Sequence, residues 1–267
     1  MGGNGIVLAE GRYTGRLKHV IETNHFIVSI TNYISTGCNN ILHSHKNPHL
    51  CLLYQGLDIE CKKNLVPYQR SAGDLYYYRA GENHKTIRTL KDSKNINVEF
   101  KSNALKYLTP PFDIDLENKN PTLKLNVIKM LGELLTNDTT SADSLELIGF
   151  ELLKPDKGAQ RHKKPQWVTQ LDDYLNDHWA NDFSLIELAK AIGVHPITIS
   201  KNFRKHYSCT YGEYRRMLKI QNSIPLVKNR HISLAQIAYE CGFSDQSHFI
   251  RNFKKYSSFL PKDFRRL

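Results

Sequence analysis

The sequence predicts a multidomain protein in which a β-rich N-terminal domain and a helical pair precede an all-helical C-terminal domain. Three observations carry this prediction. The apolar residues change in mid-chain from short β-prone runs to helical spacing. A polar stretch, Lys154–Pro165, holds two prolines and a glycine and shows neither period, as an exposed linker does. Beyond it the chain repeats itself once, with the same cap, turn and helix signals in each copy.

Taken in order, Phe26–Ile30, Cys51–Tyr54, Leu57–Cys61, Leu75–Tyr78 and Ile96–Phe100 are β-prone runs, several bounded by Gly, Pro or Asn. Leu123–Leu135 and Leu145–Leu153 carry apolar residues at helical spacing, and Ser141 is the expected N-cap of the second. The predicted domains are 1–105 (β-rich), 106–153 (helical pair), 154–166 (linker) and 167–267 (helical end). Within the last, Ser184-Leu185-Ile186-Glu187-Leu188-Ala189 aligns with Ser233-Leu234-Ala235-Gln236-Ile237-Ala238. Each segment opens on a serine suited to capping a helix, and each reaches a glycine nine residues later, Gly193 and Gly242. A turn and a second helix follow, expected over Pro196–His206 and Asp245–Tyr256. A short helix, a glycine turn and a second helix make a helix-turn-helix unit, present here twice. Tyr211–Lys228 reads as a connecting helix, which Pro225 is expected to kink or to end early.

Charge sharpens the functional expectation. The 267 residues carry 37 Lys and Arg against 26 Asp and Glu, a formal net charge of +11. Residues 160–267 hold 18 of the cations and 9 of the acids, so the excess belongs to the helical end, as in a polyanion binder. An apolar share of 40% suffices for packed cores, and no run approaches the ~18–20 apolar residues of a membrane span. Met1–Gly5 lacks the basic patch and apolar run of a secretory signal. Five cysteines with no CxxC pair fit reduced thiols better than a disulfide framework or a zinc ribbon. A soluble, cytosolic, basic protein is expected. No Ser-His-Asp pattern, P-loop or GxGxxG motif points to other chemistry, so no catalytic residue is assigned and no enzyme is expected.

The second helices have legible faces. Ile199, Phe203 and His206 share one side of the first, Phe249, Phe253 and Tyr256 one side of the second, and these are the expected core positions. Ile197, Ser200, Lys201 and Arg204 fall on another side, as do Ser247, Ile250, Arg251 and Lys254 at the same spacing. Lys201 pairs with Arg251 and Arg204 with Lys254 between the copies. A packing helix has no reason to repeat outer cations, whereas a helix in a major groove does: long cations reach guanine edges or phosphates, and a small apolar group touches a thymine methyl.

From about Trp167 to Phe264 the chain resembles the DNA-binding domain of the AraC/XylS family of bacterial transcription regulators. The most specific stretch is Ile237-Ala238…Cys241-Gly242-Phe243-Ser244-Asp245-Gln246-Ser247…Phe249…Arg251…Phe253-Lys254-Lys255, ending in Pro261…Phe264-Arg265. The resemblance implies base-reading positions at Ile197, Ser200 and Lys201 and at Gln246, Ser247 and Arg251, with Arg204 and Lys254 on phosphate. It also implies double-stranded promoter DNA as partner, RNA polymerase if the protein activates, and a homodimer formed through the helical pair. Packing of that pair within one chain is the competing reading.

By the same resemblance the N-terminal domain is expected to be a cupin-like β-barrel (jelly roll) that binds a small-molecule effector. The sequence supports this with Gly37-x5-His43-x-His45, then His49 and Gly56, and with Gly73-x5-Arg79-x-Gly81-x2-His84, where Arg79 stands in the usual place of proline. Two readings of the histidines stay open. His43 and His45 lie at i and i+2 on one strand and so share a face, which lets them hold a divalent metal with His84 on a facing strand and His49 at the cupin glutamate position. Alternatively His43, His45 and aromatic wall residues such as Tyr76 or Tyr78 hold a small polar effector. A different class of protein, a metal-dependent cupin enzyme tethered to nucleic acid by its helical end, is the remaining alternative.

Overall fold

The computed structural model describes residues 5–35, 40–62, 66–107, 121–153 and 165–267. The chain forms two compact units. One comprises the residues up to Tyr107 together with 126–152; the other contains 153–265. The linker residues 154–164 and Gly37 of the first histidine motif lie outside the described residues. No helix among the described residues is long and apolar enough to cross a membrane.

The first unit is a curled mixed sheet. Its strands are β1 (Ile6–Leu8), β2 (Arg16–Glu22), β3 (Phe26–Tyr33), β4 (His43–His45), β5 (His49–Lys62), β6 (Tyr68–Ser71), β7 (Leu75–Tyr78) and β8 (His84–Phe100). The 17-residue β8 is the spine. On one side it pairs antiparallel with β5 from His49↔Glu99 to Lys62↔His84. On the other it pairs with β3 from Phe26↔Phe100 to Tyr33↔Ser93 and meets β4 at His43↔His84. β2 extends β3, β1 runs parallel to β4, and β6 and β7 lie along β5.

Alternation along these strands yields two buried faces of opposite chemistry. Phe26, Val28, Ile30, Leu50, Leu52, Ile96, Val98 and Phe100 make an apolar face, each at most 2% exposed. The intervening Ser29, Thr31, Asn95, Asn97 and Glu99 are polar and equally buried. Asn97 Nδ2 donates to Thr31 Oγ1 at 3.1 Å, and Glu99 accepts from Gly11 N and Asn47 Nδ2. Two helices follow, α1 (Pro121–Thr136) and α2 (Ser141–Leu153). In α2, Phe150 meets Phe26 edge-on with ring centroids 5.7 Å apart, and Glu146 accepts hydrogen bonds from Thr23 and His25. At Gly149 a Cβ would overlap the Phe26 ring, so the helix comes this near only because that residue has no side chain.

Three sequence expectations need correction here. Cys51–Tyr54 and Leu57–Cys61 are one strand, because β5 continues through Gly56 with its register against β8 shifting on either side. Ser141 is the first helical residue of α2 rather than its cap; it is fully buried and its hydroxyl is engaged by Asp138. The β-prone reading also passed over β1, which is only three residues long, and β2, β4, β6 and the first half of β8, whose polar or charged composition masks their strand character.

The second unit is helical: α3 (Gln166–Asp177), α4 (Leu185–Ile192), α5 (Pro196–Tyr207), α6 (Tyr211–Lys228), α7 (Leu234–Glu240), α8 (Gln246–Ser257) and α9 (Pro261–Arg266). Local chemistry sets these boundaries. Ser184 with Glu187, and Thr210 with Glu213, form reciprocal capping boxes, each such cap contributing about 1 kcal/mol. Ser233 and Asp245 cap α7 and α8 by accepting from Gln236 N and His248 N. Gly193 and Gly242 adopt left-handed φ of 72° and 67° in the turns. Of the two expectations for Pro225, a kink or an early end, the early end fails: α6 runs on to Lys228, and buried Ile224 and Val227 on either side anchor it.

Candidate nucleic-acid interface and histidine cavity

The two helix-turn-helix units, α4–α5 and α7–α8, are built alike. Ile199, Phe203 and His206 of α5 are 0, 3 and 9% exposed; Phe249, Phe253 and Tyr256 of α8 are 0, 0 and 8% exposed. Ile199 and Phe203 join Leu171, Leu175, Leu188, Leu218 and Tyr214 in one apolar cluster, so α5 is seated on α3, α4 and α6. With those faces inward, Ile197, Ser200, Lys201 and Arg204 are exposed on α5, and Gln246, Ser247, Arg251 and Lys254 on α8. Ile250 is half-buried. Ser200 Oγ donates to Ile197 O at 3.2 Å, which leaves its lone pairs outward.

A buried cation ties the two units together. Lys219 of α6 donates from Nζ to Asp182 Oδ1 at 2.7 Å and to the Gly242 carbonyl at 2.6 Å. Arg215 pairs with the same Asp182. The Gly242 turn sits so close to the segment after α3 that a Cβ there would overlap the Ala180 carbonyl and lie 2.9 Å from Lys219 Nζ. Desolvation, and then the neighbouring Arg215, lower the Lys219 ammonium to about 8. Sequence reasoning did not single out Lys219 or Asp182, which carry no local motif.

In the first unit β4 and the start of β8 bring His43, His45 and His84 together, all at most 4% exposed. One ring nitrogen from each lies within 4.8 Å of one from the other two. Nδ1 of His43 faces the Ile41 carbonyl at 2.9 Å and Nδ1 of His84 faces the Glu82 carbonyl at 3.0 Å. A carbonyl only accepts, so both Nδ1 atoms carry the proton and both Nε2 atoms present a lone pair. His45 Nδ1 has no hydrogen-bond partner among the described residues. Burial holds His45 and His84 near 3 and lowers His43 and His49 as well, so the four imidazoles are neutral.

His49 and Tyr76 are placed differently from expectation. His49 is not among the three rings whose nitrogens converge, but it lines the same cavity with its ring 4.3 Å from that of His45, and on β5 it stands opposite Tyr78 and stacks on that ring at 4.8 Å and 12°. Tyr76 lies outside the cavity wall and instead covers the Arg70 guanidinium, 5.6 Å from its ring centroid. Tyr78 does line the cavity, 4.3 Å from the His84 ring.

Beside the histidines lies a charged network that the sequence reading missed. Arg70 makes a two-pronged bond to Asp58 at 2.7 and 2.8 Å and reaches Glu60 at 2.9 Å and Tyr78 Oη at 2.7 Å. Glu60 also accepts from Tyr78 and Tyr68. Two carboxyl groups share one guanidinium, all at most 3% exposed. The signal was the alternation of Asp58 and Glu60 with Leu57 and Ile59, which reads as a solvent face until pairing sets Asp58 opposite Arg70. The cavity between network and histidines is about 20 Å3. That holds roughly one water-sized species, far below the ~300–1,000 Å3 of an organic-ligand pocket.

Comparison with known proteins adds the following. Residues 188–267 match a family model described as a helix-turn-helix domain. The chain is 23% identical over 243 residues to the HTH-type transcriptional activator RhaS of Shigella sonnei, covering 84% of this chain and 86% of that one. Against RhaS of Enterobacter sp. it is 29% identical over 98 residues, 37% of this chain and 35% of the relative. Several RhaS proteins of Escherichia coli strains are matched over 48% of their length. Among solved structures, ToxT from Vibrio cholerae aligns over 91% of this chain and 98% of its own at 14% identity, with a TM-score of 0.38. An AraC-type regulator from Chromobacterium violaceum aligns over 38% and 89% at 20% identity, with a TM-score of 0.36.

Proposed function

Because this chain belongs to the AraC/XylS family of DNA-binding transcription regulators, we propose that it binds specific promoter sites through α5 and α8 and that occupancy of its N-terminal domain tunes that binding. One observation carries the DNA-binding half: both second helices bury the same three-residue face and leave cations at equivalent outer positions. Ile197, Ser200 and Lys201 on one helix, and Gln246, Ser247 and Arg251 on the other, read base edges, with Ile250 flanking them. Arg204 and Lys254, one turn further along, take backbone phosphates.

The curled sheet is taken as a cupin-like barrel spanning 1–105, followed by the helical pair to 153, the linker to 166 and the DNA-binding domain from 167. The helical pair is the proposed homodimer contact, and RNA polymerase is the further partner if the protein activates. A cytoplasmic site of action follows from the DNA partner.

The test is selection of the preferred duplex from a randomised pool by the full chain, then competition against random DNA. The proposal expects the selected site to win by ~10³-fold or more; a ratio near unity means non-specific coating and overturns it.

A further inference from the structure

We propose that the cleft between the N-terminal half of α6 and the turn before α8 seats a small phosphate monoester, and that a filled cleft weakens duplex binding. The seat itself stands apart from the DNA-binding reading above; only its effect on the duplex rests on that reading.

The cleft is a cavity of about 240 Å3 within the helical unit. Arg215, Arg216 and Lys219 line it from α6, Asp182 from the segment after α3, and Phe243 and His248 from the second helix-turn-helix unit. Three cations face a single carboxylate, so two positive charges stay unbalanced. The sequence sets their spacing: Gly212, Arg215, Arg216 and Lys219 fall at i, i+3, i+4 and i+7 and share one helix face.

Donors in the cleft are left over. Arg215 commits Nη2 to Asp182 and the Asn181 carbonyl and lies over the Tyr211 ring, while its Nε and Nη1 make no hydrogen bond among the described residues. Arg216 makes no hydrogen bond or ion pair among the described residues and folds back over Gly212, where a Cβ would sit 3.4 Å from its Nη1. His248 Nδ1 is engaged with Ser244 Oγ at 3.1 Å, which leaves Nε2 for a ligand. Lys219 and Phe243 are the most recessed, at 4 and 8% exposed, with the ammonium 5.7 Å from the ring centroid. The ammonium stays low, at about 8, although Asp182 touches it, so its surroundings are short of a second anion.

Charge, shape and size select the ligand. Guanidiniums present forked donors that match phosphate oxygens, and two surplus charges match the dianion that a phosphate monoester carries near neutral pH. A carboxylate or a phosphodiester brings only one. The Phe243 ring, and a volume just short of the ~300–1,000 Å3 of organic-ligand pockets, leave room for a short carbon skeleton. A phosphodiester in a duplex carries a sugar on each side, which keeps it off groups as recessed as Lys219 and Phe243.

Filling the cleft acts on DNA binding by two routes. The ligand cancels the surplus charge, which lowers the attraction of this unit to a polyanion. It also competes with Asp182 for Arg215 and Lys219, and Lys219 is the group that fastens the Gly242 turn.

Glycerol phosphate is the probe, titrated calorimetrically into the full chain, with glycerol and dimethyl phosphate as the neutral and diester controls. One-site binding with a Kd below ~1 mM is expected, at least tenfold tighter than for dimethyl phosphate and absent for glycerol. These comparisons need no variant. Arg216→Ala should weaken binding at least tenfold, whereas Arg230→Ala, which removes an exposed cation elsewhere in the same unit, should leave it unchanged. Affinity for the selected duplex, with saturating glycerol phosphate against sodium chloride of equal ionic strength, is expected to fall at least threefold in wild type and not at all in Arg216→Ala.

Absence of saturable binding overturns the seat and leaves the DNA reading standing. Dimethyl phosphate binding as tightly as the monoester, with a salt slope reduced by about one in Arg216→Ala, gives the cleft to the DNA backbone and overturns the small-ligand proposal. Binding with unchanged duplex affinity overturns the regulatory half alone. Absence of sequence preference with and without glycerol phosphate overturns the DNA reading without touching the seat.

Discussion

The paired turn glycines allow one prediction to be worked through in detail. Gly193 and Gly242 occupy equivalent positions and both are left-handed, with φ of 72° and 67°. A Cβ at Gly193 meets nothing within 4 Å, so Gly193→Ala should cost only the left-handed penalty, about 1–2 kcal/mol. A Cβ at Gly242 overlaps the Ala180 carbonyl and crowds Lys219 Nζ. Relieving that overlap drags the Gly242 carbonyl from the ammonium, and a hydrogen bond to a charged group contributes ~1.5–3 kcal/mol. Gly242→Ala should therefore lose about 3–5 kcal/mol, two to three times its twin. Urea unfolding of the full chain followed by tryptophan fluorescence suits this test. The only two tryptophans, Trp167 and Trp179, both lie in the helical unit, and Trp179 adjoins Ala180. Equal losses in the two variants, within ~0.5 kcal/mol, would refute close approach as the reason Gly242 is glycine.

Three further outcomes are expected. Arg251→Ala should cost ~1–3 kcal/mol of DNA affinity at one base pair of the selected site, whereas Lys254→Ala should weaken all duplexes alike and reduce the salt slope by about one; mutant-by-duplex affinity tables decide between them. The sheet unit should lose stability as pH falls below about 6.5. His45 and His84 titrate near 3 when folded but near 6.5 when unfolded, so the unfolded chain binds more protons between those values, up to ~1.4 kcal/mol per pH unit for each histidine. A flat circular-dichroism stability profile from pH 6.5 to 4 would contradict this. Gly149→Ala should destabilise the sheet unit by ~1–3 kcal/mol through overlap with the Phe26 ring, and Phe26→Leu in the same chain should recover part of the loss, measurable as a coupling energy.

The helical unit was legible because its signals are local. Ser184, Thr210, Ser233 and Asp245 cap the residues next to them, and Gly193 and Gly242 bend the chain where they stand. The inward triplets of α5 and α8 follow from spacing alone. The sheet was less legible because its meaning lies in pairing across long separations. Nothing near Asp58 announces that Arg70 will face it, and nothing near His43 fixes His84 as its partner on β8. His49 was singled out by motif spacing, and strand pairing sets it both against Tyr78 and on the wall of the histidine cavity. Pro225 misled in the opposite direction: a strong local breaker was overridden by the apolar anchorage on both sides of it.

The Lys219 clamp has a consequence for the nucleic acid. A strut that fastens one reading head to the other, through Asp182 and the Gly242 carbonyl, gives the pair a fixed gauge. Any mismatch between that gauge and the pitch of the duplex must then be absorbed by bending or twisting the DNA. Base steps that no side chain touches acquire a vote, because pliable pyrimidine–purine steps between the two grooves deform at less cost than stiff adenine tracts.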